Sequence, residues 1–101
     1  DQIAAADGVD WIFVGPADLS CNLGVPGKLD HPDFLKALER VSQAAHRAGK
    51  PWGTLARDID YARRCHDLGC RLFSICGDSD AMKMGLSMAN ERFATLCGDE
   101  D

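Results

Sequence analysis

Three short apolar runs divide the chain, VDWIFV at 9–14, WGTLA at 52–56 and RLFSIC at 71–76, and each leads into a segment with helical spacing of apolar residues. Runs of five or six apolar, β-rich residues read as strands buried on both faces rather than as alternating, half-exposed ones. After the first strand, Asp30-His31-Pro32 supplies a capping residue and a helix-starting proline. Phe34, Leu38, Val41, Ala45 and Ala48 then follow at spacings of 4, 3, 4 and 3, one face of a helix that should stop at Gly49. A second, shorter helix starts with Asp58 as cap, turns Ile59, Ala62 and Cys65 inward and ends at Gly69. A third begins at Asp78-Ser79-Asp80 and carries Met82, Leu86, Ala89, Phe93 and Leu96, again at spacings of 4, 3, 4 and 3. A helix end at 2–6 precedes the first strand, and the acidic tail 98–101 is expected to fray.

Strand–helix alternation with buried strands implies an α/β fold with a parallel sheet and right-handed crossovers. A (β/α)8 barrel spends about 250 residues on eight such units, roughly 30 per unit. Three units in 101 residues match that rate, so the chain reads as part of a barrel. A three-stranded sheet would leave two open edges. The chain opens on Asp1 rather than Met, and an upstream portion is expected.

Composition narrows the functional classes. Hydrophobic residues make up 46% and charged residues 27%, the balance of a soluble globular domain. Sixteen acids against eleven bases, a net charge of −5, argue against a nucleic-acid or anionic-membrane partner, and no apolar run has the length of a membrane span. The five cysteines have neither C-x-x-C pairing nor zinc-finger spacing, which fits a reduced, cytoplasmic protein with most of its thiols in the core.

The segment after the first strand, Gly15-Pro16-Ala17-Asp18-Leu19-Ser20, carries the clearest chemical pattern. It sits where parallel α/β folds place their sites, at the carboxyl end of a strand. Gly15 permits close backbone approach and Pro16 stiffens the turn. The N–H groups of Ala17 and Asp18 can then receive a small carboxylate, while Asp18 offers a hard oxygen suited to a divalent cation. The competing reading is that Asp18 caps a turn and Ser20 bonds the backbone. Arg57 and Asp58, following the second strand, either meet the far end of a substrate or form a capped helix start with an ion pair. Asp78 and Asp80 either share that rim or cap the last helix. Trp11 is expected to pack between strand and helices. His31, His46 and His66 lie on helices or at a helix start, away from the strand ends, and are not read as catalytic.

The run GVDWIFVGPADLSCNLGVPG resembles the HpcH/HpaI aldolases, the metal-dependent (class II) pyruvate aldolases that include 4-hydroxy-2-oxoheptanedioate aldolase and 2-dehydro-3-deoxyglucarate aldolase. The likeness continues through DHPDFLKALERV, AGKPWGTLA and YARRCHDLGCRLFSICGD into the last helix. It implies that residues 1–101 are the C-terminal part of one barrel domain, its sixth to eighth βα units. It implies cleavage of a 4-hydroxy-2-oxo acid to pyruvate and an aldehyde, or the reverse addition, through a metal-stabilised enolate. By the same resemblance Asp18 is one of two acidic ligands of Mg²⁺, Mn²⁺ or Co²⁺. Ala17 and Asp18 bind the pyruvate carboxylate through their backbone, flanked by Gly15 and Pro16, and Leu55 lines the aldehyde pocket. No Schiff-base lysine is required, and the strand segments contain none. The family's second acidic ligand, its histidine and its arginine belong to earlier strands, so no catalytic residue falls in this segment, which alone is expected to be inactive. The resemblance further implies a homo-oligomer, a hexamer of paired subunits that exchange the C-terminal helix. Two alternatives stay open: an oxaloacetate decarboxylase acting on the same site, and an inactive half-barrel that associates through its sheet edges.

Overall fold

The computed structural model describes residues 1–97. In chain order the elements are α1 (Gln2–Ala5), β1 (Ile12–Val14), α2 (Pro16–Asn22), α3 (Pro32–Ala48), β2 (Trp52–Leu55), α4 (Ile59–Asp67), β3 (Leu72–Ser74) and α5 (Asp78–Cys97). The strands lie side by side as β1-β2-β3 and both pairs are parallel. An α/β architecture with one parallel sheet therefore stands as the alternation of patterns predicts. The expected tail at 98–101 lies outside the described residues.

Register sorts the strand residues between two faces. Ile12 pairs with Trp52 and Val14 with Thr54, while Phe13, Gly53 and Leu72 form the intervening row. Since successive strand residues point to opposite faces, Val14, Trp52 and Thr54 share the face covered by the helices. All three are buried. The opposite face is open: Phe13 is 52% and Leu72 45% exposed. Burial on both faces, expected of all three strands, is thus not seen for β1 and β3. They are the outer strands, and no second layer covers their other face among the described residues. Trp11 falls before β1 and is exposed rather than packed between strand and helices. Gly53 is set by packing, because a Cβ there would stand 2.7 Å from the Leu72 carbonyl oxygen.

Local chemistry delimits the two packed helices. In the Asp30-His31-Pro32 run the cap is His31, whose Nδ1 accepts the Asp33 N–H at 3.1 Å, and Pro32 opens α3. At its end the Gly49 N–H bonds the His46 carbonyl and the Lys50 N–H the Ala45 carbonyl, with Gly49 at φ 65°. The end of α4 repeats the motif, Gly69 to His66 and Cys70 to Cys65. Asp58 caps α4 by accepting the Tyr61 N–H at 2.8 Å. That cap sets the helix phase: Tyr61 and Cys65 face the core, and Ile59, about 200° around the helix from Tyr61, is 63% exposed instead of inward-facing.

The core gathers Phe34, Leu38 and Ala45 from α3, Tyr61 and Cys65 from α4, and Val14, Trp52 and Cys70 from the sheet side. Cys65 and Cys70 are core thiols as expected, whereas Cys21 and Cys76 are exposed. Helix α5 forms over the range its pattern predicts, yet every residue from 81 to 96 is exposed. It gives the chain a long axis of 62 Å and a radius of gyration of 18.4 Å, where a compact domain of this length has about 13 Å.

Candidate functional site

The corner between β1 and α2 is the most organised part of the strand exits. Val14 is buried at the end of β1, Gly15 is the extended N-cap, and Pro16 occupies the first turn. Within Gly15–Ser20, expected as a stiff turn, Pro16 opens a short helix that runs to Asn22. Proline's fixed φ suits a first helical position, and its missing N–H costs nothing there. The Ser20 hydroxyl, fully buried, donates to the Ala17 carbonyl at 2.8 Å and accepts the Gly27 N–H at 3.0 Å, which ties the helix to the loop that follows. The backbone-bonding role weighed for Ser20 is the one observed.

A helix start leaves its first N–H groups without intrahelical acceptors. Here Pro16 has none to offer and the Leu19 N–H bonds the Gly15 carbonyl at 2.9 Å. Of the helix's own residues, Ala17 and Asp18 then keep N–H groups with no protein acceptor among the described residues. Both residues are exposed. The Asp18 carboxylate folds back over the N-cap, so that a Cβ at Gly15 would lie 3.3 Å from Asp18 Oδ2. Glycine keeps that space open. The corner thus offers two free donors at the positive end of a helix and one carboxylate beside them.

Parallel strands bring the other exits to the same edge of the sheet. Leu55, half-buried at the end of β2, shares with Gly53 the face turned away from the helices and pairs with Ser74 of β3. Arg57 follows and reaches Asp80 at the start of α5, with Nη2 to Oδ2 at 3.5 Å. Asp58 is occupied as the α4 cap, and Asp78 accepts the Ser79 N–H at 2.7 Å, so both serve helix starts. His46 and His66 occupy the last turns of α3 and α4, which lie at the opposite end of the sheet. Cys76 stands exposed after β3, beside the Gly77 carbonyl.

Behind this edge runs a polar chain that motif reading did not identify. The Thr54 hydroxyl lies 3.0 Å from the Val14 carbonyl and 3.0 Å from the Tyr61 hydroxyl. A carbonyl only accepts, so Thr54 spends its hydrogen on Val14 and Tyr61 donates to Thr54. Burial pushes the Tyr61 hydroxyl well above the usual tyrosine range, and burial likewise raises the Cys65 and Cys70 thiols. The signals in the sequence were a lone hydroxyl inside WGTLA and a tyrosine three residues after a cap.

Asp18 fits one coordination position of a hard divalent cation, being an accessible carboxylate with no competing cation against it in the described structure. Among the described residues no three His, Cys, Asp or Glu side chains converge, so a complete metal site needs oxygens from beyond them. No helix is long and apolar enough to cross a membrane among the described residues.

Comparison with known proteins places this geometry in context. The model of the HpcH/HpaI aldolase/citrate lyase family matches residues 1–83. A pyruvate aldolase of Rhizobium etli is 37% identical over 95 residues, covering 94% of this chain and 37% of its own. A 5-keto-4-deoxy-D-glucarate aldolase of Escherichia coli is 44% identical over 78 residues, covering 77% and 30%. Among solved structures, the HpcH/HpaI aldolase of Desulfitobacterium hafniense superposes with a TM-score of 0.81 at 29% identity, over 99% of this chain and 39% of that one. The chain spans about a third of the length of the curated relatives it matches.

Proposed function

The chain belongs to the HpcH/HpaI aldolase/citrate lyase family, and on that premise we propose that it forms the last three βα units of a barrel whose intact protein is a pyruvate aldolase. The substrate is a 4-hydroxy-2-oxo acid, cleaved to pyruvate and an aldehyde, or formed from them. One observation carries the reading: the free Ala17 and Asp18 N–H groups beside the Asp18 carboxylate, at the carboxyl end of β1.

In this reading the two N–H groups hold the carboxylate of the 2-oxo acid, with the helix start favouring its charge. Gly15 leaves room for the Asp18 side chain, which contributes one ligand to Mg²⁺, Mn²⁺ or Co²⁺. When bound, the cation supplies Lewis-acid stabilisation of the charge that develops as the carbon–carbon bond breaks. Leu55 lines the side from which the aldehyde leaves, and Arg57 stands beyond it. Proton transfer falls to residues outside these three units. The open face carrying Phe13 and Leu72 supports the barrel placement. The exposed apolar row of α5 supports a homo-oligomer in which this helix packs on a neighbouring subunit.

The test is an assay of the full-length protein with Mn²⁺, pyruvate or hydroxypyruvate and a panel of aldehydes. Aldol products are expected, and Asp18→Ala should lower kcat/KM by about 100-fold or more without a comparable loss of melting temperature, in line with the loss of a single key electrostatic group. Absence of any aldol product sinks the reading, and faster pyruvate release from oxaloacetate than from a hydroxy-oxo acid would favour a decarboxylase. The open edges of β1 and β3 support a second reading for the 101-residue segment by itself, an inactive half-barrel that self-associates. A cooperatively melting monomer would contradict it.

A further inference from the structure

We propose that Thr54 and Tyr61 are positioning residues for the oxo-acid site, holding the exit of β1 in the orientation that presents the Ala17 and Asp18 N–H groups. The inference rests on the aldolase reading for its substrate and on the fold alone for its geometry.

Thr54 is 0% and Tyr61 2% exposed, so both are shielded from bulk solvent. Their hydrogen bonds run in one direction, from the Tyr61 hydroxyl to Thr54 and from Thr54 to the Val14 carbonyl. That carbonyl belongs to the peptide joining Val14 to Gly15, the last rigid unit before the N-cap. Fixing its plane fixes the direction in which Gly15 leaves the sheet, and α2 is only seven residues long. The other end of the chain is anchored too, since the Tyr61 N–H is held by Asp58, which caps α4 at the exit of β2. Two exits that supply different parts of the site are therefore linked through one buried pair of hydroxyls. Phe34 packs against Tyr61 with ring centroids 6.1 Å apart, which locks the tyrosine in place.

A hydroxyl at position 54 is not needed to fill the core, for valine has almost the same shape. What valine lacks is the bond to Val14. The experiment compares Thr54→Val, Thr54→Ser and Tyr61→Phe in the full-length protein by three readouts: KM and kcat for pyruvate in aldol addition, hydrogen exchange of the Leu19 amide that closes the first turn of α2, and melting temperature. Thr54→Val is expected to raise KM about tenfold with kcat within about twofold, because the carboxylate cradle is misaligned while the reacting groups remain. It should also speed Leu19 exchange about tenfold relative to amides of α3. Thr54→Ser should restore both values, and Tyr61→Phe should give a smaller change in the same direction. If Thr54→Val does not fold, Thr54→Ser and Tyr61→Phe carry the test. Unchanged KM and unchanged Leu19 exchange in folded variants, whatever happens to the melting temperature, would overturn the proposal, as would failure of serine to rescue. If the parent protein makes no aldol product the aldolase reading falls, and Leu19 exchange then decides the positioning role alone.

Discussion

Helices α3 and α5 carry the same apolar spacing and meet opposite fates. In α3 the row from Phe34 through Leu38 to Ala45 is buried against Val14, Trp52 and Tyr61. In α5 the row of Met82, Leu86, Phe93 and Leu96 is at least 65% exposed at every position. Both helices form, so the shared spacing marks the element in each case. What periodicity does not specify is the surface that will cover the row. The α3 row finds it in the chain's own sheet, and that packing is where most helical stability originates. The α5 row, with Arg57–Asp80 as the one ion pair joining its helix to the rest among the described residues, meets no covering surface there.

The largest test of that contrast is a pair of truncations in the full-length protein. Leu38→Ala should cost about 2–5 kcal/mol in urea unfolding, the range for a fully buried leucine. Leu86→Ala should leave the stability of a dissociated subunit within about 0.5 kcal/mol, as expected of an exposed position. It should instead shift the protein toward smaller species by size exclusion. Equal losses of subunit stability from the two changes would break the comparison.

Next comes Gly53→Ala. Its Cβ would meet the Leu72 carbonyl oxygen at 2.7 Å and Leu72 Cβ at 2.8 Å, so β2 and β3 must part. A loss of about 1–3 kcal/mol is expected, the usual cost of overpacking. Gly85→Ala in α5, where a Cβ meets nothing within 4 Å, should stabilise the helix by up to about 1 kcal/mol.

Alkaline pH should separate the two regions less strongly. Cys65, Cys70 and Tyr61 have folded-state pKa values raised by burial above the usual values near 9 and 10. Each native group therefore keeps its proton at pH values where the unfolded chain releases it. Their contribution is intact below pH 9 and declines as pH rises through the folded-state values. The urea midpoint should fall above that pH, and Cys65→Ala should flatten the slope, whereas Arg92→Gln in α5 should leave it unchanged. The smallest effect is expected from Arg57→Gln. An exposed pair is worth under about 1 kcal/mol, and a larger loss of stability would mean that α5 is held to the sheet more firmly than its exposure indicates.

Much of the fold was legible because its signals are local. The Asp30-His31-Pro32 start, the Asp58 cap and the glycines at 49 and 69 act through bonds spanning a few residues. Asp18 could be placed just beyond a strand exit for the same reason, whereas Leu55 came from the family resemblance. The inward position of α4 is not legible from apolarity, which favours Ile59, because the cap geometry selects Tyr61. Helix α2 is not legible locally, since glycine followed by proline reads as a turn, and Ser20 holds it by donating to Ala17 and accepting from Gly27 across the loop. The Thr54–Tyr61 pair has no local signal, because its members lie on different elements and meet only when α4 docks on β2.

Local signals in the amino-acid sequence set the three strands and helices α3, α4 and α5, the ends of the packed helices, and the strand exit that carries a carboxylate beside two amides. These depend on hydrogen bonds and sterics within a few residues. Only the tertiary structure decided which apolar faces are buried: Val14 but not Phe13, Tyr61 but not Ile59, the row of α3 but not that of α5. Burial depends on which surface lies opposite, and the surfaces that cover Val14, Tyr61 and the α3 row come from residues distant in the chain.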